Sequence, residues 1–456
     1  MMILRRRILR LAVYAMTIGC ASGLAAEDWS RFRGPNGDGT ARDSQPVPSQ
    51  WSPQENLKWK AELPGAGVSS PIVVGDRVFV TCYSGYGVDR NQVGNIEDLK
   101  RHLVCVDSQS GRILWDKSVA AVMPEDPYAG IGVTAHGYAS HTPVSDGERV
   151  YAFFGKSGVH AFDMDGNEMW QASVGTGSDP WQWGSASSPI VHDGLVFVTA
   201  AAESQALVAL DAKTGQEVWR ESAEGFDGMW GTPTLIQVSQ SRTELVMSVP
   251  FEIWSFAPKT GKLLWYCEAS ESEQAHSSAV ASDGVVYAFT GRGGGSIAVR
   301  AGGSQDVAKS HRLWTGSESD RFGTPVVYQG KIYLVAGGIV TVIDGTTGKK
   351  LSQTRLENDR SSAATAPSTS GREGGRQSGR GGGRSSDYAS PVIADGKLYF
   401  VNGSGQTFVW QLGDELEQLS VNRVTDESES FGGTPAVSQG RIFLRSDKHL
   451  YCVAAE

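Results

Sequence analysis

The sequence predicts an all-β chain closed into an eight-bladed β-propeller of four-stranded blades. Three observations carry that expectation. A unit of four short β runs recurs eight times, its last copy stops after the third run, and an orphan fourth run lies far upstream at Asn56-Leu57-Lys58-Trp59-Lys60. One four-stranded sheet cannot bury both faces, whereas copies stacked side by side can. Letting the N-terminal strand complete the last blade closes a ring and removes edges that invite aggregation. An open solenoid would need distinct caps instead.

The unit is clearest in Ser187–Gly225, where SSPIV, LVFVTA, ALVALD and EVWR are separated by His192-Asp193-Gly194 and Ala212-Lys213-Thr214-Gly215. Short runs rich in Val, Leu and Ala, punctuated by Gly and Asp, read as strands and hairpins. Copies begin at Ser70-Pro71, Thr142-Pro143, Ser188-Pro189, Thr232-Pro233, Ser278-Ala279, Thr324-Pro325, Ser390-Pro391 and Thr434-Pro435. Repeat four departs, with SRTELVMSV where the others carry a Gly turn and a β run. The unit ends on Asp107-Gly111-Trp115, Asp163-Gly166-Trp170, Asp211-Gly215-Trp219 and Gly261-Trp265; Trp314 closes repeat five after a longer loop. Gly supplies the positive φ of a tight hairpin, and Asp can accept from amides inside the turn. In repeats six and seven, Ser352 and Leu419 or Ser420 stand in the Trp neighbourhood.

The 456 residues include 56 Gly and 13 Trp, which suits a turn-rich β protein with aromatic packing positions. Residues 1–26 read as a secretory signal peptide: Arg5, Arg6, Arg7 and Arg10, an apolar run, then small residues to Ala26. The lesser alternative is a lipid anchor on Cys20, although Thr17 stands where Leu is usual. An exported periplasmic or cell-envelope protein follows, with an N-terminal extended segment at 27–55 and the propeller at 56–456. No later apolar run approaches spanning length. The formal charge is −9, and losing the signal arginines makes the rest more acidic, which argues against nucleic acid as a partner. Residues 358–386 (NDRSSAATAPSTSGREGGRQSGRGGGRSS) hold too little apolar matter to pack and are expected to be disordered. Cys82 and Cys105 fall on adjacent predicted strands, so an exported chain could hold them as a disulfide or as two buried thiols.

The stretches AFD-x-x-G-x-x-x-W, ALD-x-x-TG-x-x-x-W and SP-x-V-x-x-G-x-[VI]-[YF] resemble the repeat of the pyrroloquinoline-quinone (PQQ) propeller family across nearly the whole mature chain. Asp28-Trp29-Ser30-Arg31-Phe32-Arg33-Gly34-Pro35-Asn36-Gly37-Asp38-Gly39 is similar to the opening of exported members of unassigned role. The resemblance implies that Trp59, Trp115, Trp170, Trp219, Trp265 and Trp314 dock blade against blade. It also implies two functions, since the family holds PQQ- and calcium-binding dehydrogenases as well as a cofactor-free outer-membrane barrel-assembly lipoprotein. The dehydrogenases carry a vicinal disulfide over the cofactor, a calcium-binding Glu and Asn, and a catalytic Asp. This chain has no Cys-Cys pair, and no motif places the others.

Fold alone does not give function, so the site is sought at the irregular junctions. The residues just before each marker should gather at one channel mouth, and they are rich in aromatic and polar types: His136, Tyr138, His141, Trp181, Trp183, Trp230, His276, Arg321 and Tyr388. Insertions at 84–101 and 119–140 should enlarge the same face. Such a mouth suits a polar ring-shaped ligand, a glycan or a peptide segment, and it equally suits a plug. His136 and His141 would need Asp126 or Asp320 to complete a metal trio, and no spacing fixes that geometry, so no metal is assigned. Glu203 and Glu252 occupy equivalent loops and could pair as carboxylates. The favoured reading is a monomeric, non-catalytic binding or scaffold protein for a protein, small-molecule or glycan partner, with no cofactor firmly implied. The alternative is a PQQ-dependent oxidoreductase.

Overall fold

The computed structural model describes residues 27–42, 45–269, 271–291, 294–320, 322–357 and 387–455. Residues 1–26, expected to be a signal peptide, Arg321 and the Gly/Arg/Ser-rich stretch 358–386 lie outside the described residues. The described strands form eight antiparallel blades. In the third blade Ile190–His192, Leu195–Ala200, Ala206–Asp211 and Glu217–Ser222 run from channel to rim. The innermost strands are short, and the middle two are buried along most of their length because they pack between neighbouring blades. Ring closure is as expected: Leu57–Glu62 pairs with His449–Ala454, with Trp59 opposite Cys452. Blade four carries an addition, Gln305–Asp306, which pairs in parallel with its outermost strand.

The Gly and Trp of the repeat act across blades. Trp115 Nε1 donates to the Met164 carbonyl (3.0 Å), Trp170 to Ala212 (3.1 Å), Trp219 to Pro258 (2.8 Å), Trp314 to Gly345 (2.9 Å) and Trp59 to Ser108 (3.0 Å). Each acceptor lies in the hairpin of the following blade, and the indole lies flat on that hairpin's Gly. A Cβ on Gly215 would stand 2.5 Å from the Trp170 ring, and one on Gly166 2.8 Å from Trp115. Glycine is therefore required twice, for its φ near +70° and for the absent Cβ.

Trp265 does not follow this rule. Its indole donates to the buried Glu244 carboxylate in its own blade (2.7 Å). The reason lies in blade five, whose third-to-fourth connection is lengthened to 301–311, where Gly302 and Gly303 lie against Val238 and Val307 and not against the Trp265 ring. Ser352 and Ser420 fill the Trp position in blades six and seven, opposite Val342 and Val409. At blade seven the lost packing is supplied by residues 47–51: Val47 and Trp51 are buried in the adjoining core, and Asn422 binds both the Trp51 amide and the Ser49 carbonyl.

The disulfide alternative for Cys82 and Cys105 is overturned. Cys82 stands opposite His102 and Cys105 opposite Phe79, an odd offset that sends the two side chains to opposite faces of the sheet. Both are free buried thiols, and burial pushes Cys82 up to about 11 and Cys105 up to about 12.

Candidate functional site

The Ser/Thr markers form a closed belt around the channel. The amide of Ser70 donates to the Thr142 hydroxyl, Thr142 to Ser188, Ser188 to Thr232 and Thr232 to Ser278. The belt continues from Ser278 to Thr324, Ser390, Thr434 and back to Ser70, all at 2.9–3.0 Å. Seryl and threonyl hydroxyls alternate around it. Each hydroxyl spends an acceptor site here, and among the described residues none of the eight donates its own proton to a protein acceptor.

Two residues before each marker lies a second ring: Val68, Ser140, Ala186, Trp230, His276, Phe322, Tyr388 and Gly432. Its large members fall on four consecutive blades and its small ones on the other four. The result is a lopsided cup of about 300 Å³ above the hydroxyl belt. Trp183, Trp230, His276, Phe322 and Tyr388 make a continuous aromatic arc, with successive centroids 5.5, 4.5, 5.3 and 4.6 Å apart. Ile131, Gly132, Ala135 and His136, from the 119–140 insertion, close the side left by the small residues.

The opposite mouth is shut by the segment expected to be extended, which is instead a run of turns from Arg31 to Gly39. Its backbone bonds Val73 in blade one, Ser145 in blade two and Ile393 in blade seven, all on innermost strands. Arg33 is 1% exposed and donates to the Pro325 carbonyl of blade six (2.6 Å); burial draws Arg31 and Arg33 down to about 10 and about 9. Phe32 reaches the cup from this side. The site is blind.

Asp179 organises the Trp loop. It is 5% exposed and accepts from the amides of Trp181 (2.9 Å), Trp183 (2.8 Å) and Gly184 (2.8 Å). Trp230 Nε1 donates to the Gly184 carbonyl (2.8 Å), tying the arc to the next blade. His136 lies between Ser140 Oγ (2.7 Å) and the Trp183 carbonyl (2.8 Å), and burial lowers its pKa. A Cβ on Gly132 would meet Trp183 Cγ at 2.3 Å, so that Gly allows the insertion its close approach.

Of the expected rim residues, the structure brings His136, Trp183, Trp230, His276 and Tyr388 together in the cup. Trp181 stands at its lip, 40% exposed and packed on Trp183 and Trp230. Tyr138 and His141 lie behind the wall, both buried. There the insertion covers a polar layer: Arg101 pairs with Glu125 (2.5 Å) and Lys156 with Asp126 (3.1 Å). Ser185 Oγ donates to Glu203 Oε1 (2.5 Å), and His141 Nε2 lies 3.0 Å from that seryl Oγ. Burial pushes Glu203 up to about 7 and draws His141 down to about 3. The trio of His136, His141 and Asp126 is not assembled, since each is engaged with other partners. Glu252 bonds the Trp254 indole, and no pairing with Glu203 forms. Of the aromatic residues lining the cup, Phe32 and Phe322 are the two that the sequence-based choice omitted; Phe322 carried the same two-before-marker signal as Trp230 and Tyr388.

The family model described as outer membrane protein assembly factor BamB matches residues 50–246 and 155–373. BamB of Burkholderia pseudomallei (strain K96243) is 22% identical over 388 residues, 73% of this chain and 89% of that protein. A polyvinylalcohol dehydrogenase of a Pseudomonas species is 20% identical over 266 residues; the match spans 48% of this chain and only 37% of the dehydrogenase. The crystal structure of BamB from Moraxella catarrhalis superposes with a TM-score of 0.55 at 11% identity, covering 87% of this chain and 99% of that one, a likeness of fold. Among the described residues no helix is long and apolar enough to cross a membrane. With its eight four-stranded blades, its Gly–Trp hairpins and these matches, the chain belongs to the PQQ-repeat propeller family typified by BamB.

Proposed function

We propose that this is an exported, non-catalytic binding or scaffold protein that receives its partner at the cup face. The observation that carries the reading is the continuous aromatic arc over a channel shut from below. Aromatic faces with a few placed polar groups in a concave blind site suit a ligand. Ile131, 70% exposed, and Trp181 extend an apolar lip around the mouth, where a protein surface could rest. The BamB likeness agrees with a protein-binding role.

The chemistry behind the wall supports binding over turnover. Activation of a serine nucleophile needs histidine between serine and carboxylate. Here Ser185 stands between His141 and Glu203, and all three are buried. The likeness to a polyvinylalcohol dehydrogenase favours the second reading, a PQQ-dependent oxidoreductase. The residues do not fit that group: calcium draws its ligands from carboxylate and carbonyl oxygen, and no described side chain lining the cup is a carboxylate.

Purified mature protein titrated with PQQ and calcium should give neither a stoichiometric absorption band nor dye reduction with alcohols. Affinity capture from the cell envelope should recover a partner that Trp181→Ala weakens. A one-to-one quinone band with dye reduction would replace this reading by the oxidoreductase.

A further inference from the structure

We infer that the cup takes the end of an uncharged saccharide chain; this rests on the cup being the binding site. Three independent features converge on that chemistry. First, the wall is aromatic. The negative face of an aromatic ring attracts the polarised C–H groups of a sugar ring, and Trp230, which lines the cup inside the arc, supplies such a ring. Second, the floor is made of hydroxyls. Each belt hydroxyl, Thr232 among them, accepts one amide, lines the cup and has a proton of its own to donate. A sugar's hydroxyl and ring oxygens accept such protons; a hydrocarbon cannot.

Third, charge is absent from the described lining. No carboxylate is there to hold a cation, and no lysine or arginine to hold an anion. Buried charges need partners, and among the described lining residues an ionic ligand would find none. The plug adds geometry. Because Arg31–Gly39 closes the far mouth and Phe32 reaches the floor, a polymer cannot thread the channel and must present a terminus. The volume, near the lower end of small-molecule sites, suits a chain end.

The test is calorimetry and tryptophan fluorescence on the full mature chain, using the trimers of α-1,4-glucose, β-1,4-glucose and β-1,4-N-acetylglucosamine, each beside a longer chain of the same sugar. The expected result is saturable binding of one of the three with one protein per chain at either length. Trp230→Ala should weaken it at least tenfold, and Trp230→Phe should restore most of the affinity. Stoichiometry that rises with chain length would overturn end-on recognition. Failure of all sugars, with an indole or peptide probe still bound and lost in Trp230→Ala, would reject the saccharide and keep the cup as a binding site. If no probe binds, both readings fall.

Discussion

Ser185, wedged between His141 and Glu203, illustrates how burial governs single residues here. Desolvation is the largest influence on Glu203 and raises it to about 7; the Ser185 hydrogen bond works against it. His141 is lowered to about 3, by burial first and then by Arg101 and His136. The two act on stability with opposite signs. Between the ordinary carboxylate value and about 7 the folded chain holds a proton that the unfolded chain has lost, so the Glu203 contribution falls as pH rises. For His141 the unfolded chain binds more protons from about 3 to 6.5, so its contribution rises with pH. Glu203→Gln keeps an acceptor for Ser185 and removes only the first effect. In urea unfolding, the variant should gain on wild type by on the order of a few kcal/mol as pH rises to about 7, then hold level. A gap that does not change with pH would show that Glu203 titrates normally.

At the scale of the element, the informative unit is the hairpin between the third and fourth strands, read together with the blade before it. Gly194 and Gly215 both have positive φ, +76° and +71°. A Cβ on Gly194 would meet nothing within 4 Å, whereas one on Gly215 would meet the Trp170 ring at 2.5 Å. Gly194→Ala should therefore cost only the conformational penalty, about 1 kcal/mol. Gly215→Ala should cost clearly more, because Trp170 must also leave its place. Equal losses in denaturant midpoint would mean that the indole does not depend on the bare glycine. The Gly-x-x-x-Trp spacing was legible in the sequence, but its partner was not. Trp265 keeps the spacing behind Gly261 and still docks on Glu244, because the receiving hairpin belongs to another blade.

Across the whole molecule, closure depends on the six residues of the strand Leu57–Glu62. Trp59 and Trp170 make the same contact, an indole on the next blade's Gly with one carbonyl bond. Truncating either to Ala should cost about 3–5 kcal/mol. Trp59 also anchors Leu57–Glu62, the strand that covers His449–Ala454. Trp59→Ala should accordingly expose a strand edge and form oligomers on warming, while Trp170→Ala unfolds as a monomer. Light scattering during a thermal ramp separates the two. Identical scattering would mean that the N-terminal strand holds without its tryptophan.

The repeat period, the split last blade and the aromatic residues before four consecutive markers were all determined by the sequence alone, because strand periodicity and turn chemistry are local. Trp230, His276 and Tyr388 could be chosen as site residues because they share one offset from the markers. Tertiary structure alone decided the rest. It turned phase markers into a belt of hydroxyls, placed Tyr138 and His141 behind the wall, and made the turns around Arg33 a plug. Those outcomes depend on which blades meet around the axis, and groups separated by hundreds of residues become neighbours only when the ring closes.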